Sequence, residues 1–192
     1  MERESALHRC HLRAQGQLKT FSGWQLPAWY TDPLRELEEV RASVGISDAS
    51  YLSKLDVRLD LRGPAGEFPP PARLWRLTAS HALVVSPLPM GLAASPSVTD
   101  VTSIYSAILL AGPNSRDVLH QLTTLDVRDT AMPEGAARQT RLAHVNATIL
   151  RHEGFLILNT RDVAEHVWEA LLHAGARPFG MLAQQQWMEL GQ

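Results

Sequence analysis

Residues 54–62, KLDVRLDLR, place Leu55, Val57, Leu59 and Leu61 at every second position, with Asp56, Arg58 and Asp60 between them. A period of two gives a strand one apolar and one polar face. Such a strand needs a sheet with one side buried and one side wet, the usual condition of antiparallel sheets. A helix turns about 100° per residue and would scatter the same leucines around its axis. Just upstream the period is different. Leu34, Leu37, Val40 and Val44 recur at helical spacing, and Arg35, Glu38, Glu39 and Arg41 fall opposite. Asp32 is a good N-cap, Pro33 suits the first helical position, and Gly45 can end the helix. An amphipathic helix followed by a half-buried strand predicts an α+β chain with a mostly antiparallel sheet.

The remaining segments extend this pattern. Residues 4–13 are read as a first helix. Residues 73–78 and 81–86 read as a hairpin about Ala79-Ser80, and residues 87–97 as a loop. Residues 103–111 form a strand running into Gly112-Pro113. A helix follows, capped by Asn114 or Ser115, with Val118, Leu119 and Leu122 inward. Residues 140–151 read as one long strand, then a Glu153-Gly154 turn and a strand at residues 155–158. The last predicted helix is capped by Asn159 or Thr160, carries the stripe Val163, Val167, Leu171 and Ala174, and ends at Gly175. With 192 residues, the chain is read as a single domain spanning 1–192.

Composition excludes several classes. A net charge of −2 argues against a general nucleic-acid binder, which needs a basic field. No apolar run approaches the ~18 residues of a membrane span, and the N-terminus lacks the apolar stretch of a secretory signal. One cysteine excludes an intrachain disulfide and a thiolate-rich metal site. A cytoplasmic protein with no membrane and no nucleic-acid partner is expected. The glycines form no phosphate cradle.

The candidate constellations are weak taken one at a time. His8, Cys10 and His11 form an HRCH cluster, but zinc wants three or four spaced ligands and no second cluster exists, so no metal is expected. Cys10 lacks any visible base, and Ser50 and Ser53 sit in no nucleophile elbow. Trp24, Trp29, Tyr30 and Tyr51 suit stacking on a flat heterocycle, although core packing is the commoner role of large aromatics. Trp168 and Trp187 read as packing anchors. Asp56, Asp60, Asp100 and Asp126 are acid–base candidates for which solvation is the default.

The ordered residues carry a resemblance that the single motifs do not. FSGWQLPAWY at residues 21–30 and LEEVRASVGISDASYLSKLDV at residues 37–57 resemble the opening of the folate-dependent aminomethyltransferases, which include the glycine-cleavage T-protein. Phe21, Gly23, Trp24, Pro27, Tyr30, Val40, Arg41, Val44, Gly45, Asp48 and Ser50 fit that family's pattern. Residues 98–127 resemble its strand–Gly-Pro–helix segment. Residues 138–175 are similar to the gamma subunit of heterotetrameric sarcosine oxidase. The resemblance covers most of residues 7–182 and is poor over 64–97.

It implies the family's two-halved folate-binding α+β domain, tetrahydrofolate as cofactor, and transfer of a one-carbon unit from an amine to folate. Tyr51 and Leu52 occupy the place of the residues after D-x-S that approach the folate, and they are the cofactor-binding residues the resemblance carries over. Departures accompany the matches. The family's G-G-x-x-D-D-like segment has no counterpart, because residues 73–97 contain no Asp or Glu. The Glu-bearing segment that clamps the pterin is absent, and no catalytic residue is assigned. The Arg of the family's G-x-x-A-R-D segment falls at Gln184. The family's C-terminal barrel has no counterpart in this sequence. Two readings follow: an aminomethyltransferase-like protein with a degenerate site, or a non-catalytic subunit or folate-binding module. The apolar residues Phe179, Met181, Leu182, Trp187, Met188 and Leu190 predict either a tail folded on its own core or a surface for a homodimer or another protein partner.

Overall fold

The computed structural model describes residues 2–58, 70–90 and 97–190. In chain order the elements are β1 (Arg3–Glu4), α1 (His8–Arg13), β2 (Gln17–Phe21), β3 (Trp24–Trp29), α2 (Pro33–Ala42), β4 (Gly45–Asp48), β5 (Ser53–Val57), β6 (Arg73–Thr78) and β7 (His81–Ser86). There follow β8 (Val98–Asp100), β9 (Tyr105–Ala111), α3 (Ser115–Leu122), β10 (Ala137–Leu142), β11 (Val145–Arg151), β12 (Phe155–Thr160), α4 (Ala164–His173), β13 (Arg177–Pro178) and α5 (Met181–Leu190). Among the described residues the strands form three sheets: β10-β11-β12-β9-β4-β13, β6-β7-β5-β8 and β1-β3-β2. All pairings are antiparallel except β1 with β3 and β13 with β4. The α+β, mostly antiparallel expectation is met.

The central sheet is buried on both faces, and its middle strands are apolar without interruption over residues 107–111 of β9 and 155–158 of β12. Ile108 and Leu110 of β9, with Phe155 and Ile157 of β12, face a core shared with Val118 and Leu119 of α3 and Val167, Trp168 and Leu171 of α4. Ala107, Leu109 and Ala111, with Leu156 and Leu158, face the opposite core with Leu37 and Val40 of α2 and Phe179 and Ala183 of α5. Alternation sends successive side chains to opposite layers, so uninterrupted runs are what a doubly covered sheet requires.

Several expectations are corrected. Residues 4–13 are not one helix, because Arg3 and Glu4 pair with Trp24 and Gln25 and only His8–Arg13 coils. α2 starts as expected, with the Asp32 carboxylate accepting from the amides of Leu34 and Arg35, but ends at Ala42. Gly45 opens β4 instead, where a Cβ would lie 2.5 Å from Val40 and 2.7 Å from Phe179. Leu34, counted in the apolar stripe, is 64% exposed. The hairpin of β6 and β7 is as predicted. The long strand at 140–151 is two strands, because Ala143 and His144 take positive φ and reverse the chain without glycine. α4 begins after a single 3-10 turn at Arg161–Val163, so Asn159 and Thr160 do not cap it. The alternating strand is β5 up to Val57, with Leu55 and Val57 buried; Leu59, Asp60 and Leu61 lie outside the described residues.

The apolar tail folds back. Phe179, Met181 and Ala183 are buried, Trp187 and Met188 pack on the same core, and α5 lies against α2 and β3. Gly180 makes this possible. A Cβ there would meet Ala28 O at 2.4 Å, and its amide donates to Glu36 Oε2 at 2.8 Å. Packing of these residues on the chain's own core is one of the two outcomes expected for the tail.

Candidate functional site

β4 leaves the central sheet at Asp48, and residues 49–52 turn the chain into β5 of the second sheet. The turn is held from three sides. Asp48 Oδ1 accepts from the Ser50 amide at 2.9 Å, Ser50 Oγ accepts from the Ala107 amide at 3.2 Å, and the Leu52 amide donates to Ala49 O at 3.1 Å. The fourth restraint is Lys54, which the alternation assigns to the wet face. It is 0% exposed, and its ammonium donates to Ser50 O at 3.0 Å and Leu52 O at 2.7 Å. Burial pulls Lys54 down to about 8, while the charges of Asp48 and Asp100 work in the other direction. Its two carbonyls flank Tyr51.

Tyr51 and Leu52 therefore sit on a rigid turn. Leu52 is buried, and Tyr51 is half-buried between two apolar clusters that include Trp75 and Trp24. Burial, with the nearby charge of Asp48, pushes the Tyr51 hydroxyl up to about 12. It is a phenol throughout the physiological range and cannot serve there as a phenolate base. Gln184 reaches it from α5. Gln184 is 2% exposed; its Oε1 accepts from Ser47 Oγ at 2.8 Å, and its Nε2 faces the Tyr51 hydroxyl at a long 3.5 Å. Gln184 is thus a neutral amide already engaged by Ser47.

Beneath the turn lies a second polar chain. Asp48 is wholly buried. Burial raises its carboxyl, but hydrogen bonds and charge from His11, with bonds from Ser5 and Ser50, win and hold it below the usual range. A carboxylate only accepts, so His11 Nε2 donates to Asp48 Oδ2 at 2.9 Å, and His11 Nδ1 is paired with the Tyr30 hydroxyl at 2.8 Å. The Trp168 ring meets the His11 ring edge-on. Burial first, then the charges of Asp48, Glu36 and Cys10, raises Tyr30 well above its ordinary value. This chain is sealed from solvent at His11 and Asp48, so its role is to fix α1, β3 and β4 relative to one another.

The other candidates are accounted for by local partners. Trp24 is core, and Trp29 is covered by Lys19 at 4.6 Å from the ring centroid. Asp56 is paired with Arg58 and His81, Asp126 with Arg128, and Asp100 accepts from the Thr102 amide. His11 of the HRCH cluster is turned inward to Asp48. The one possible cation group among the described residues is Cys10, Glu165 and Glu169. The Arg13 guanidinium occupies it, bonded to all three at 2.8 to 3.3 Å, and burial raises the Cys10 thiol. Sequence reasoning missed Lys54, Ser47 and the His11–Asp48 pair as site supports. Only Gln184 had a signal, through its place in the GMLAQQQ segment.

The fold and this turn define an α+β domain in which the connection between two sheets carries Tyr51 beside a neutral Gln184. The fold is found in solved structures. The glycine-cleavage aminomethyltransferase T of Bartonella henselae superposes with a TM-score of 0.78 at 18% identity, over 98% of this chain and 62% of that one. The heterotetrameric sarcosine oxidase of Corynebacterium sp. U-96 gives 0.56 at 17% identity, over 68% and 83%. In sequence, the aminomethyltransferase of Thermus thermophilus is 25% identical across 95% of this chain and 64% of that protein, and that of Saccharopolyspora erythraea is 23% identical across 93% and 61%. The chain therefore spans under two thirds of the length of these relatives. The GCVT N-terminal domain family matches residues 78–189, more than half of the chain. The chain belongs to the GCVT N-terminal domain family, in the company of the aminomethyltransferases.

Proposed function

We propose that this protein is a folate-binding-type module of one-carbon metabolism that contacts tetrahydrofolate through Tyr51 and Leu52 and does not by itself carry out efficient aminomethyl transfer. One observation carries the reading: a buried, neutral Gln184 bonded to Ser47 stands where the family pattern has an arginine. The surrounding groups support it. Tyr51 stays protonated, Asp48 is committed to His11 and Ser50, and the Lys54 amine is enclosed by carbonyls. Tetrahydrofolate, when bound, supplies the nitrogen that accepts a one-carbon unit. The half-buried Tyr51 ring and the Leu52 side chain fit it as contact residues. They supply no carboxylate, so no transfer step is assigned to this chain.

The alternative reading is an enzyme of the aminomethyltransferase kind acting unaided. The heterotetrameric nature of the sarcosine oxidase neighbour favours the first reading, in which this single folate-type domain works in the cytoplasm beside another protein chain or a second copy. Because α5 is folded on its own core, a partner would use a different surface from the tail.

Calorimetric titration of tetrahydrofolate into the full chain, paired with an assay of methylenetetrahydrofolate formation from an aminomethyl-lipoyl donor, tests both halves. The expected result is saturable binding, lost in Tyr51→Ala, with turnover far below about 1 per second. Absence of binding removes the folate reading. Turnover of that order or faster makes the chain an enzyme.

A further inference from the structure

α3 and α4 cover the face of the central sheet opposite α2 and α5. Between them and the β10–β11 turn lies an open groove of about 930 Å³. Four of the chain's eight histidines line it: His120 of α3, His144 of the turn, and His166 and His173 of α4. All four are exposed, so a ligand can reach them. Arg141 and Glu169 line the groove as well, whereas Tyr51, Leu52 and Gln184 do not. The rings are held in place without being used up. His166 Nε2 donates to Ala143 O at 2.8 Å and joins α4 to the turn, and His173 Nδ1 donates to Glu169 O at 2.7 Å. A carbonyl only accepts, so in each ring the other nitrogen takes the second proton. Protonation thus adds a donor and keeps the bond. The rings of His120 and His144 have no hydrogen bond or ion pair among the described residues.

The fixed charges around these rings nearly cancel. Glu169 accepts from Arg13 at 2.8 Å, and the Arg141 guanidinium donates to His144 O. Glu165 also meets Arg13. Asp126 is paired with Arg128 and lies near enough to His120 to feel its charge. Arg116 and Asp117 precede His120 by one turn of α3, and Asp162 precedes His166 by four residues. Both helices end at the groove, α3 at Thr123 and α4 at Ala174. The carbonyl end of a helix carries about half a negative charge. With neutral rings these ends and Glu169 therefore disfavour an anion. With charged rings the balance reverses, because four imidazolium charges outweigh two half-charges. Histidine is the side chain that makes this change between about pH 8 and about pH 5.

The spacing of the rings selects a ligand. Among the described residues the only three such groups close enough to share one ion are Cys10, Glu165 and Glu169, so the histidines stand too far apart for a single metal ion or small anion to engage them together. A ligand with several negative charges along its length meets them. The volume lies at the upper end of the roughly 300–1,000 Å³ of ligand pockets, which suits a short extended segment. Nucleic acid is bound chiefly through permanent Lys and Arg charge, and the single arginine here is engaged by the turn. We propose that this groove docks an acidic peptide segment of a partner chain, held through His120, His144, His166 and His173 and released as those rings lose their protons. The inference rests on the part of the reading above that sets this domain beside another chain, and it supplies a surface for that chain other than the tail.

The imidazole proton resonances of the full chain, assigned with single His→Gln variants, are the reporters. The probe is a short, end-blocked peptide of alternating Asp and Glu, titrated at about pH 6 and at about pH 8. At the lower pH the four groove histidines should shift saturably, while those of His81 and His152 stay in place. Four exposed ion pairs of ordinary surface strength amount to about tenfold in affinity, so binding should be about tenfold weaker at the higher pH. The double variant His120→Gln/His144→Gln should weaken binding several-fold, with a melting temperature within about 2 °C of the parent, because neither ring bonds to the fold. No saturable shift up to ~5 mM peptide would overturn the proposal, as would equal affinity at both pH values or unchanged affinity in the double variant. Tighter binding of a short oligothymidylate at the same resonances would overturn it in favour of a nucleic-acid site. The titration uses neither tetrahydrofolate nor an aminomethyl donor, so its failure is distinct from failure of the folate reading.

Discussion

Replacing Lys54 with methionine isolates the cost of an ammonium group held inside the turn that carries Tyr51. Lys54 is fully buried, and loss of hydration lowers it to about 8 against the opposing pull of Asp48 and Asp100. In the unfolded chain a lysine titrates near 10.4. Between these values the unfolded chain holds a proton that the folded chain has released, so raising the pH favours folding. That contribution is complete above the unfolded value and is lost as the pH falls through the folded one. At about 1.4 kcal/mol per pH unit, the window is worth roughly 3 kcal/mol. Methionine does not titrate. The difference in unfolding free energy, parent minus Lys54→Met, should therefore be flat below about pH 7 and rise by roughly 3 kcal/mol between pH 8 and 10.4. Tyr30, Tyr51 and Cys10, all raised by burial, are present in both proteins and cancel in the difference. At pH 7 the static effects oppose one another. Relief of the buried charge is offset by the unpaired carbonyls of Ser50 and Leu52, each costing about 1–3 kcal/mol. Urea denaturation at pH 6.5 to 10.5, fitted with a common slope, measures the curve. A difference constant to within about 0.5 kcal/mol across that range would refute the argument that desolvation governs Lys54.

Four further outcomes follow from named contacts. Asp48→Ala strands His11 and the Ser50 amide and should cost about 3–5 kcal/mol, read as a lower urea midpoint; a loss under about 1 kcal/mol would mean that the buried pair is dispensable. Because the Asp48 carboxyl is held low in the folded chain, its contribution should be intact above about pH 4 and disappear as acid carries the pH down through the folded value, and Asp48→Asn should remove that part of the acid dependence. Gly112→Ala puts a Cβ 2.4 Å from Ser43 O at a positive φ and should destabilise by more than about 1 kcal/mol, with an unchanged calorimetric melting temperature as the contrary result. Asp32→Ala removes the carboxylate that accepts from Leu34 and Arg35 and should cost about 1 kcal/mol, whereas Asp32→Asn should cost much less.

Local order was legible wherever neighbouring residues alone decide it. Asp32-Pro33 marks a helix start because capping and fixed φ act within a few residues, and α2 begins there. The hairpin of β6 and β7 and the end of α4 at Gly175 follow from turn chemistry in the same way. The uninterrupted apolar stretches of β9 and β12 were recognised as strands; covering them on both faces required the helices and the second sheet that only the folded chain assembles. No turn residue marks the break within residues 140–151, because Ala143 and His144, not glycines, adopt the left-handed turn. β1 and β13 are two residues each and exist only by pairing with β3 and β4.

The site divides along the same line. Tyr51 and Leu52 were named from an ordered resemblance, and their place on the turn after β4 is a consequence of Asp48 and Ser50 close by in the chain. What surrounds them comes from far away: Gln184 is 133 positions from Tyr51, and His11 is 37 from Asp48. Period determines which side chains share a face, since it depends on the rotation between adjacent residues. Whether that face is wet depends on what packs against it, and so Lys54, on the polar side of an alternating strand, ends enclosed by the carbonyls of Ser50 and Leu52. Periods, caps and the family likeness are written in neighbouring residues, whereas the sealing of Lys54, Asp48 and His11 arises only when distant segments pack together, because desolvation is a property of the whole packed surround and not of any one segment.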